Sequence, residues 1–322
     1  MASGLPRGAG PRGKVSTPGV DSDLPSSPSC YPLLKNSAGF RKGDPLKDAE
    51  CIAFLQWALP KLGLRWAGFR KVRRQVCKRL GHRLNHLGLQ SLDEYRARMA
   101  GDPEEWAVLD SMCRITISRF YRDKGVFRAI SDIVLSAIAR RAEEEERQAT
   151  CWSAGCASGE EVYTLKIIWN ALVSPNREKG VALTVIGTDI DDAVLKRARV
   201  GCYQKGTLRE MPYMLITDHF ESKGDFLCVK EEHRRGVSFV KQDIRTGMPA
   251  GPFDLILCRN LVFTYFDLES QRRVFSKLAA RLRPDGYLVI GAHESLPDGV
   301  SGFTPIPESR LILQYHPSSA DA

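Results

Sequence analysis

The residues best placed to do chemistry fall at four strand-to-loop junctions. The first is CWSAGCASGEEVYTLKIIW (Cys151–Trp169): an apolar strand, a small-residue turn Gly155–Gly159, and a helix opening with Glu160 and Glu161. It is not GxGxxG. Gly155 lets a ligand come close to the backbone. Acidic side chains suit the positive end of a helix dipole, yet they would repel a pyrophosphate seated there. A phosphate-free cofactor with a sulfonium, S-adenosylmethionine, fits this turn. Two glutamates capping a structural turn are the other reading. The second junction is TDID (Thr188–Asp191). A carboxylate at Asp189 can accept from both ribose hydroxyls, and Asp191 is the better N-cap for the helix that follows. The third, Gln242–Asp243–Ile244, sets a polar group beside an aliphatic one, suited to an adenine amino group and its ring face. The fourth, Cys258–Arg259–Asn260, puts two polar side chains after an apolar strand, which is costly unless they are paired. They either flank the donated methyl and the substrate carboxylate or form a salt-bridged loop. The N/D-P-P-Y/F pattern of enzymes that methylate amino groups on bases or glutamine is absent there.

Alternating strands and helices must carry these junctions. Strands are expected at Thr150–Ala154, Ala182–Thr188, Val237–Val240, Phe253–Cys258, Tyr287–Ala292 and Leu311–Tyr315. Helices are expected at Glu160–Leu172, Asp192–Arg199 and Ser270–Leu282, the last stopped by Pro284–Asp285–Gly286. The pattern implies a mostly parallel sheet covered on both faces, α/β in class. Ligands of such sheets bind beyond the carboxyl ends of the strands, so the four junctions should share one rim. Between Tyr203 and Val237 the rhythm breaks, with Phe226–Lys230 as a short exposed strand. Residues 45–115 read as helices only. Cys51, Phe54, Leu55 and Ala58 share a face, and Phe69, Val72, Val76 and Leu80 form one stripe. Ser91 caps a helix, with Glu94 at the capping-box position. Residues 1–44, rich in Gly, Pro and Ser, are expected to be a disordered tail.

The chain has 322 residues, 43% hydrophobic and 26% charged, which suits a soluble globular protein with a sizeable core. Its net charge of +9 calls for an acidic partner. Seven basic residues and no acidic one lie between Arg70 and Arg83; they form either a docking face or a solvated one, and docking is favoured. Nine cysteines without CxxC pairs and no long apolar run suggest free thiols in a reducing cytoplasm, no membrane insertion and no metal.

From about Leu64 to Tyr315 the chain resembles the CheR-type, S-adenosylmethionine-dependent protein-glutamate methyltransferases of bacterial chemotaxis. The likeness rests on RFYRD (Arg119–Asp123), CASGEEVY (Cys156–Tyr163), TDID, LKRARVGCY (Leu195–Tyr203), FDLILCRN (Phe253–Asn260), YFD (Tyr265–Asp267) and LRPDGYLVIGAHE (Leu282–Glu294), in that order. It implies a helical domain over 45–115 and a Rossmann-like seven-stranded class I methyltransferase domain over 116–322, with a small antiparallel β subdomain at 204–236. It also implies methyl transfer to a glutamate carboxylate of an acidic, glutamate-rich protein docked on Arg70–Arg83, with nucleic acid an unlikely partner. Cofactor contacts would fall on Thr116, Ser118, Arg122, Gly155, Glu161, Asp189, Asp243, Ile244, Arg259 and Asn260. Arg122, Tyr265 and Arg259 would serve the transfer itself. Two departures matter: four residues rather than three separate Asn260 from Tyr265, and GAHE (Gly291–Glu294) replaces GHSE. The alternatives are a methyltransferase of the same fold acting on a small molecule or another protein, and a non-catalytic cofactor-binding module.

Overall fold

The computed structural model describes residues 46–176 and 180–317; the tail expected at 1–44 lies outside them. Five helices come first: α1 (Asp48–Ala58), α2 (Trp66–Phe69), α3 (Arg73–Leu87), α4 (Leu92–Gly101) and α5 (Pro103–Met112). The face predicted for α1 is buried at all four positions, Cys51, Phe54, Leu55 and Ala58. The Phe69–Leu80 stripe is split between two helices, because the chain turns at Arg70–Val72 before α3 begins. Phe69, Val76 and Leu80 still point inward. The Ser91 hydroxyl caps α4 by accepting from the Glu94 amide at 3.2 Å, and the Glu94 carboxylate reaches back to the Gln90 amide at 2.9 Å.

The α/β part follows: α6 (Lys124–Ala129), α7 (Leu135–Glu144), β1 (Ala149–Ala154), α8 (Glu160–Ile168), β2 (Leu183–Asp189), α9 (Asp192–Val200), β3 (Cys202–Gln204), α10 (Tyr213–His219), β4 (Phe220–Lys223), β5 (Phe226–Val229), β6 (Val237–Lys241), β7 (Phe253–Leu257), α11 (Val262–Tyr265), α12 (Leu268–Ala279), β8 (Leu282–Val289), β9 (Phe303–Ile306) and β10 (Ser309–Tyr315). The main sheet runs β6-β2-β1-β7-β8-β10-β9. Pairings from β6 to β8 are parallel, and β10 is antiparallel to both β8 and β9. The chain moves outward from β1 through β2 to β6, then returns to β7 on the other side of β1. That reversal is the switch point where open sheets bind ligands. One apolar cluster, with Ile130, Leu135, Leu165 and Trp169, covers one face of the sheet; the other face packs against α1–α5 and α12 through Phe54, Phe69, Phe263 and Leu278. Among the described residues no helix is long and apolar enough to cross a membrane.

The structure corrects four expectations. Helix α8 runs on into a π-helical turn, Trp169–Val173, whose wider winding leaves Leu172 outward at 46% exposure. Pro284–Asp285–Gly286 does not stop a helix; it lies in β8, where the register with β7 shifts between Phe253 and Leu255 and Asp285 takes φ 58°. Strand β9 carried no alternating signal, since it pairs only with β10 at the sheet edge. Finally, not all cysteines are free thiols. Cys51–Cys77 joins α1 to α3 and Cys202–Cys228 joins β3 to β5, while Cys113, Cys151, Cys156 and Cys258 are free and buried. Each bonded pair is 26 residues apart in sequence, so only the packing of neighbouring elements shows it.

The break between Tyr203 and Val237 is a second, antiparallel sheet, β3-β5-β4. It grips the RFYRD segment. Phe120 meets Tyr203 and Phe220 edge-on at 4.8 and 5.3 Å, and its amide donates to the Thr207 carbonyl at 3.1 Å.

Candidate active site

A cleft of about 1170 Å³, mouth included, lies at the carboxyl ends of β1, β2, β6 and β7. All eleven residues expected at the site line it: Thr116, Ser118, Arg122, Gly155, Glu161, Asp189, Asp243, Ile244, Arg259, Asn260 and Tyr265. The turn after β1 is shaped by Gly155, at φ +73°, where a Cβ would come within 2.7 Å of the Leu261 side chain. The glycine thus serves packing against the β7 loop as well as any approach of a ligand.

Four non-glycine residues around the cleft hold left-handed backbone: Tyr121, Asp123, Ala157 and Asn260, with φ between 48° and 64°. Such conformations cost about 1–3 kcal/mol each and persist where surroundings enforce them. Here the enforcing contacts are visible. The Ala157 amide donates to Asp189 Oδ2 at 3.0 Å, and the Tyr121 amide to Thr164 Oγ1 at 3.3 Å. The Asn260 amide donates to Glu294 Oε2 at 2.9 Å, and Asp123 Oδ2 accepts from Arg259 at 2.6 Å.

Asp189 is not spent as a helix cap. Asp191 takes that role, its Oδ1 accepting from the Ala193 amide at 2.8 Å. Asp189 also accepts from the Asp191 amide at 2.9 Å, and a carboxylate has capacity for more. Burial pushes its pKa up, against the pull of these backbone hydrogen bonds. Glu161 accepts from Ser153 Oγ at 2.7 Å and from Arg259 Nη1 at 2.9 Å, so it holds the cleft wall rather than capping α8. Its neighbour Glu160 is 4% exposed, with Oε2 unpartnered and its pKa raised by burial.

Arg259 is 7% exposed and committed on both sides, to Glu161 and to Asp123, with Phe127 under its guanidinium at 5.3 Å. Of the two readings of Cys258–Arg259–Asn260, the salt-bridged loop is the one formed by Arg259. Arg114 pairs with Asp110, Arg119 with Glu210, and Arg245 with Asp110 and Asp243. Arg122 is different. Its Nη1 donates to the Ile117 carbonyl at 2.8 Å, and no carboxylate among the described residues pairs with it. It stands near enough to Tyr265 for its charge to oppose the rise that burial causes in the phenol's pKa.

The extra residue before Tyr265 is absorbed by α11, a single turn closed by the Tyr265 amide on the Leu261 carbonyl at 2.9 Å. Tyr265 still faces the cleft, stacked at 5.0 Å on Phe69 of α2. Helix α2 is locked to this turn. The Arg65 guanidinium donates to the Phe263 and Thr264 carbonyls, and its amide to the Tyr265 carbonyl at 2.8 Å. A Cβ on Gly68 would collide with the Thr264 carbonyl, so only glycine permits that approach.

Sequence reasoning assigned no site role to five residues. Glu294, 8% exposed, accepts from the Asn260 amide (2.9 Å), the Gly291 amide (2.6 Å), the Leu261 amide (3.2 Å) and Thr264 Oγ1 (2.6 Å). Gly291 is required beside it, since a Cβ there would sit 2.7 Å from Glu294 Oε2 and 2.8 Å from Asn260 Oδ1. The GAHE departure therefore keeps the two positions that organise the loop. Arg245 clasps Asp243 at 2.8 Å and Asp110 of α5 at 2.6 Å, tying the loop after β6 to the helical region. Asp123 orients Arg259. The Asp243-x-Arg245 spacing was the available signal for the clasp and the GAHE motif the one for Glu294; Asp110 is remote in sequence and gave none.

The basic run divides. Arg73 pairs with Asp48, Arg83 with Glu105, and Arg79 donates to the Met112 and Arg114 carbonyls. Arg70, Lys71, Arg74 and Lys78 remain exposed.

Residues 116–311 match the family model described as CheR methyltransferase, SAM binding domain. A chemotaxis protein methyltransferase of Listeria innocua is 33% identical over 186 residues, 58% of this chain and 68% of that protein. One from Salmonella typhimurium is 30% identical over 270 residues, 80% of this chain and 88% of that protein. A third, chemotaxis protein methyltransferase 2 of Pseudomonas aeruginosa, is 31% identical over 226 residues, 68% of this chain and 78% of that protein.

Proposed function

Because the chain belongs to the CheR methyltransferase family and uses S-adenosylmethionine, we propose that it methylates a glutamate side chain of an acidic protein. The observation that carries this reading is Arg122. It is the cleft arginine left without a carboxylate partner among the described residues, and it stands beside Tyr265. A cation in that position fits an anionic acceptor or the carboxylate end of the cofactor.

The bound cofactor supplies an electrophilic methyl on a positively charged sulfur. The chain's own residues do the rest. Asp189 offers its remaining acceptor capacity to the ribose, Asp243 and Ile244 hold the adenine side, and Thr116 and Ser118 line the opposite wall. A glutamate acceptor is already ionised at neutral pH, so it needs no general base, and among the described residues no histidine or lysine lines the cleft. The remaining work is alignment and exclusion of water. Tyr265 and Phe69 form an aromatic wall for that purpose, and Arg122 orients the incoming carboxylate. Arg259 acts as a positioning residue, holding Glu161 and the RFYRD segment. The four exposed basic side chains of the Arg70–Lys78 stretch form the docking face, with the helical region 45–115 as the substrate-binding part.

The test is transfer of labelled methyl from the cofactor into proteins of the native extract. Base-labile label, released as methanol and mapped to glutamate, supports the reading. Base-stable label, label in a small metabolite, or cofactor binding without turnover overturns it.

A further inference from the structure

Away from the cleft, three potential metal ligands converge where the small sheet meets the main domain. His219 ends α10, and Glu232 and His233 lie in the turn between β5 and β6. His219 Nδ1 stands 3.0 Å from His233 Nε2, which stands 3.2 Å from Glu232 Oε1. The three ligand atoms all lie within 4.8 Å of one another. Zinc bonds of about 2.0–2.2 Å at tetrahedral angles place ligand atoms about 3.3 Å apart, close to the two separations from His233 Nε2, 3.0 and 3.2 Å.

His233 is 1% exposed, and a histidine ligates metal through a neutral ring nitrogen. In the metal-free arrangement Asn170 Nδ2 donates to His233 Nδ1 at 3.1 Å, so the His233 proton sits on Nε2 and points at His219. Ligation through Nε2 moves that proton to Nδ1. The Asn170 amide, turned over, then accepts it, giving up its present hydrogen bond to the Glu232 carbonyl at 3.3 Å, and supplies the outer hydrogen bond that metal-bound histidines normally make. No net proton is released. The exposed Glu232 leaves the fourth position open to water and gives the ion a way in.

We propose that His219, Glu232 and His233 form a site for one divalent transition ion of the zinc type, pinning the small sheet to the π-helical turn that carries Asn170. This inference is independent of the methyl acceptor. Its consequence is mechanical, because the same small sheet grips Phe120, two residues before Arg122.

The experiment uses the full chain, disulfides intact, stripped of metal and carrying His82→Gln and His86→Gln, which removes a second histidine pair spaced four apart on α3. Cobalt(II) is added and followed by its visible absorption, and zinc is measured by competition with a chromophoric chelator. The expected result is one equivalent bound, intense tetrahedral-type cobalt bands, and a rise in melting temperature with zinc. His219→Gln and Glu232→Gln, both nearer the surface than His233, should fold without metal. They should bind at least tenfold more weakly and lose the zinc-dependent rise. Absence of the cobalt bands, or affinity unchanged in His219→Gln, overturns the proposal.

Discussion

Substituting Glu294 by Gln removes one charge from a buried carboxylate that accepts from three backbone amides and one hydroxyl. The best placement of the amide keeps its oxygen on the Asn260 and Gly291 amides. Those hydrogen bonds become neutral and lose about half their strength, roughly 1 kcal/mol together. The new NH2 can still donate to Thr264 Oγ1, which rotates to accept. It cannot satisfy the Leu261 amide, and an unmet buried donor costs about 1–3 kcal/mol. The sum is a loss of roughly 2–4 kcal/mol, within what a domain stable by about 5–15 kcal/mol survives. Thr264→Val removes a single hydroxyl and should cost about 1 kcal/mol. The weakened loop carries Asn260 and Tyr265, whereas Asp189 and Asp243 stand on other strands. Methyl transfer should therefore fall about tenfold or more, the rate equivalent of about 1.4 kcal/mol, while cofactor affinity changes less. Urea unfolding gives the stability, calorimetry the cofactor affinity, and labelled-methyl incorporation the rate. A Glu294→Gln protein within about 0.5 kcal/mol of the parent, with unchanged turnover, would refute the reasoning.

Asp189→Ala should weaken the cofactor by an order of magnitude or more, since charged hydrogen bonds contribute about 1.5–3 kcal/mol; unchanged calorimetric binding would remove it from the ribose. Ribose binding needs ionised Asp189, whose pKa burial raises in the free protein. Parent affinity should therefore fall as pH drops through that raised value, a dependence Asp189→Ala loses. Arg245→Ala should cost about 1–2 kcal/mol, reduced because its partners are partly solvated, and should loosen cofactor binding. Burial raises the Asp110 pKa, but the Arg245 hydrogen bonds and charge bring it below the ordinary value. The Asp110 contribution is thus present above the unfolded pKa and lost as pH falls through the lower folded one, so parent and Arg245→Ala should converge in acid. Reversing Arg70, Lys71, Arg74 and Lys78 to Glu should raise the KM for the protein acceptor and leave cofactor affinity intact; an unchanged KM makes that face merely solvated. Alkylation without reductant should leave Cys51, Cys77, Cys202 and Cys228 unlabelled, and labelling of any of these after unfolding shows the pairing is incomplete.

The four strand-end motifs were legible because each is a local event: an apolar strand stops and a polar side chain begins. Strand β1 and helix α8 announced Gly155 and Glu161 in this way, and TDID announced both Asp189 and its capping neighbour. What could not be read were contacts joining distant segments. Glu294 meets Asn260 across 34 residues and Arg245 meets Asp110 across 135. Each histidine in the 219–233 pair looks like an isolated polar residue in a loop-rich stretch. The disulfides were hidden for the same reason. The β8 bulge was misread because Pro-Asp-Gly is a strong local stop signal that sheet pairing overrode.

The junction of α2 with α11 carries an implication for timing. The Arg65–Gly68 segment that grasps the backbone of the Tyr265 turn leads, within three residues of Gly68, into Arg70 and Lys71. A protein that settles on those cations leans on the far end of the same short lever. On the proposed docking, arrival of the acceptor and tightening of the aromatic wall become a single event, and water is excluded from the methyl group when there is something to receive it.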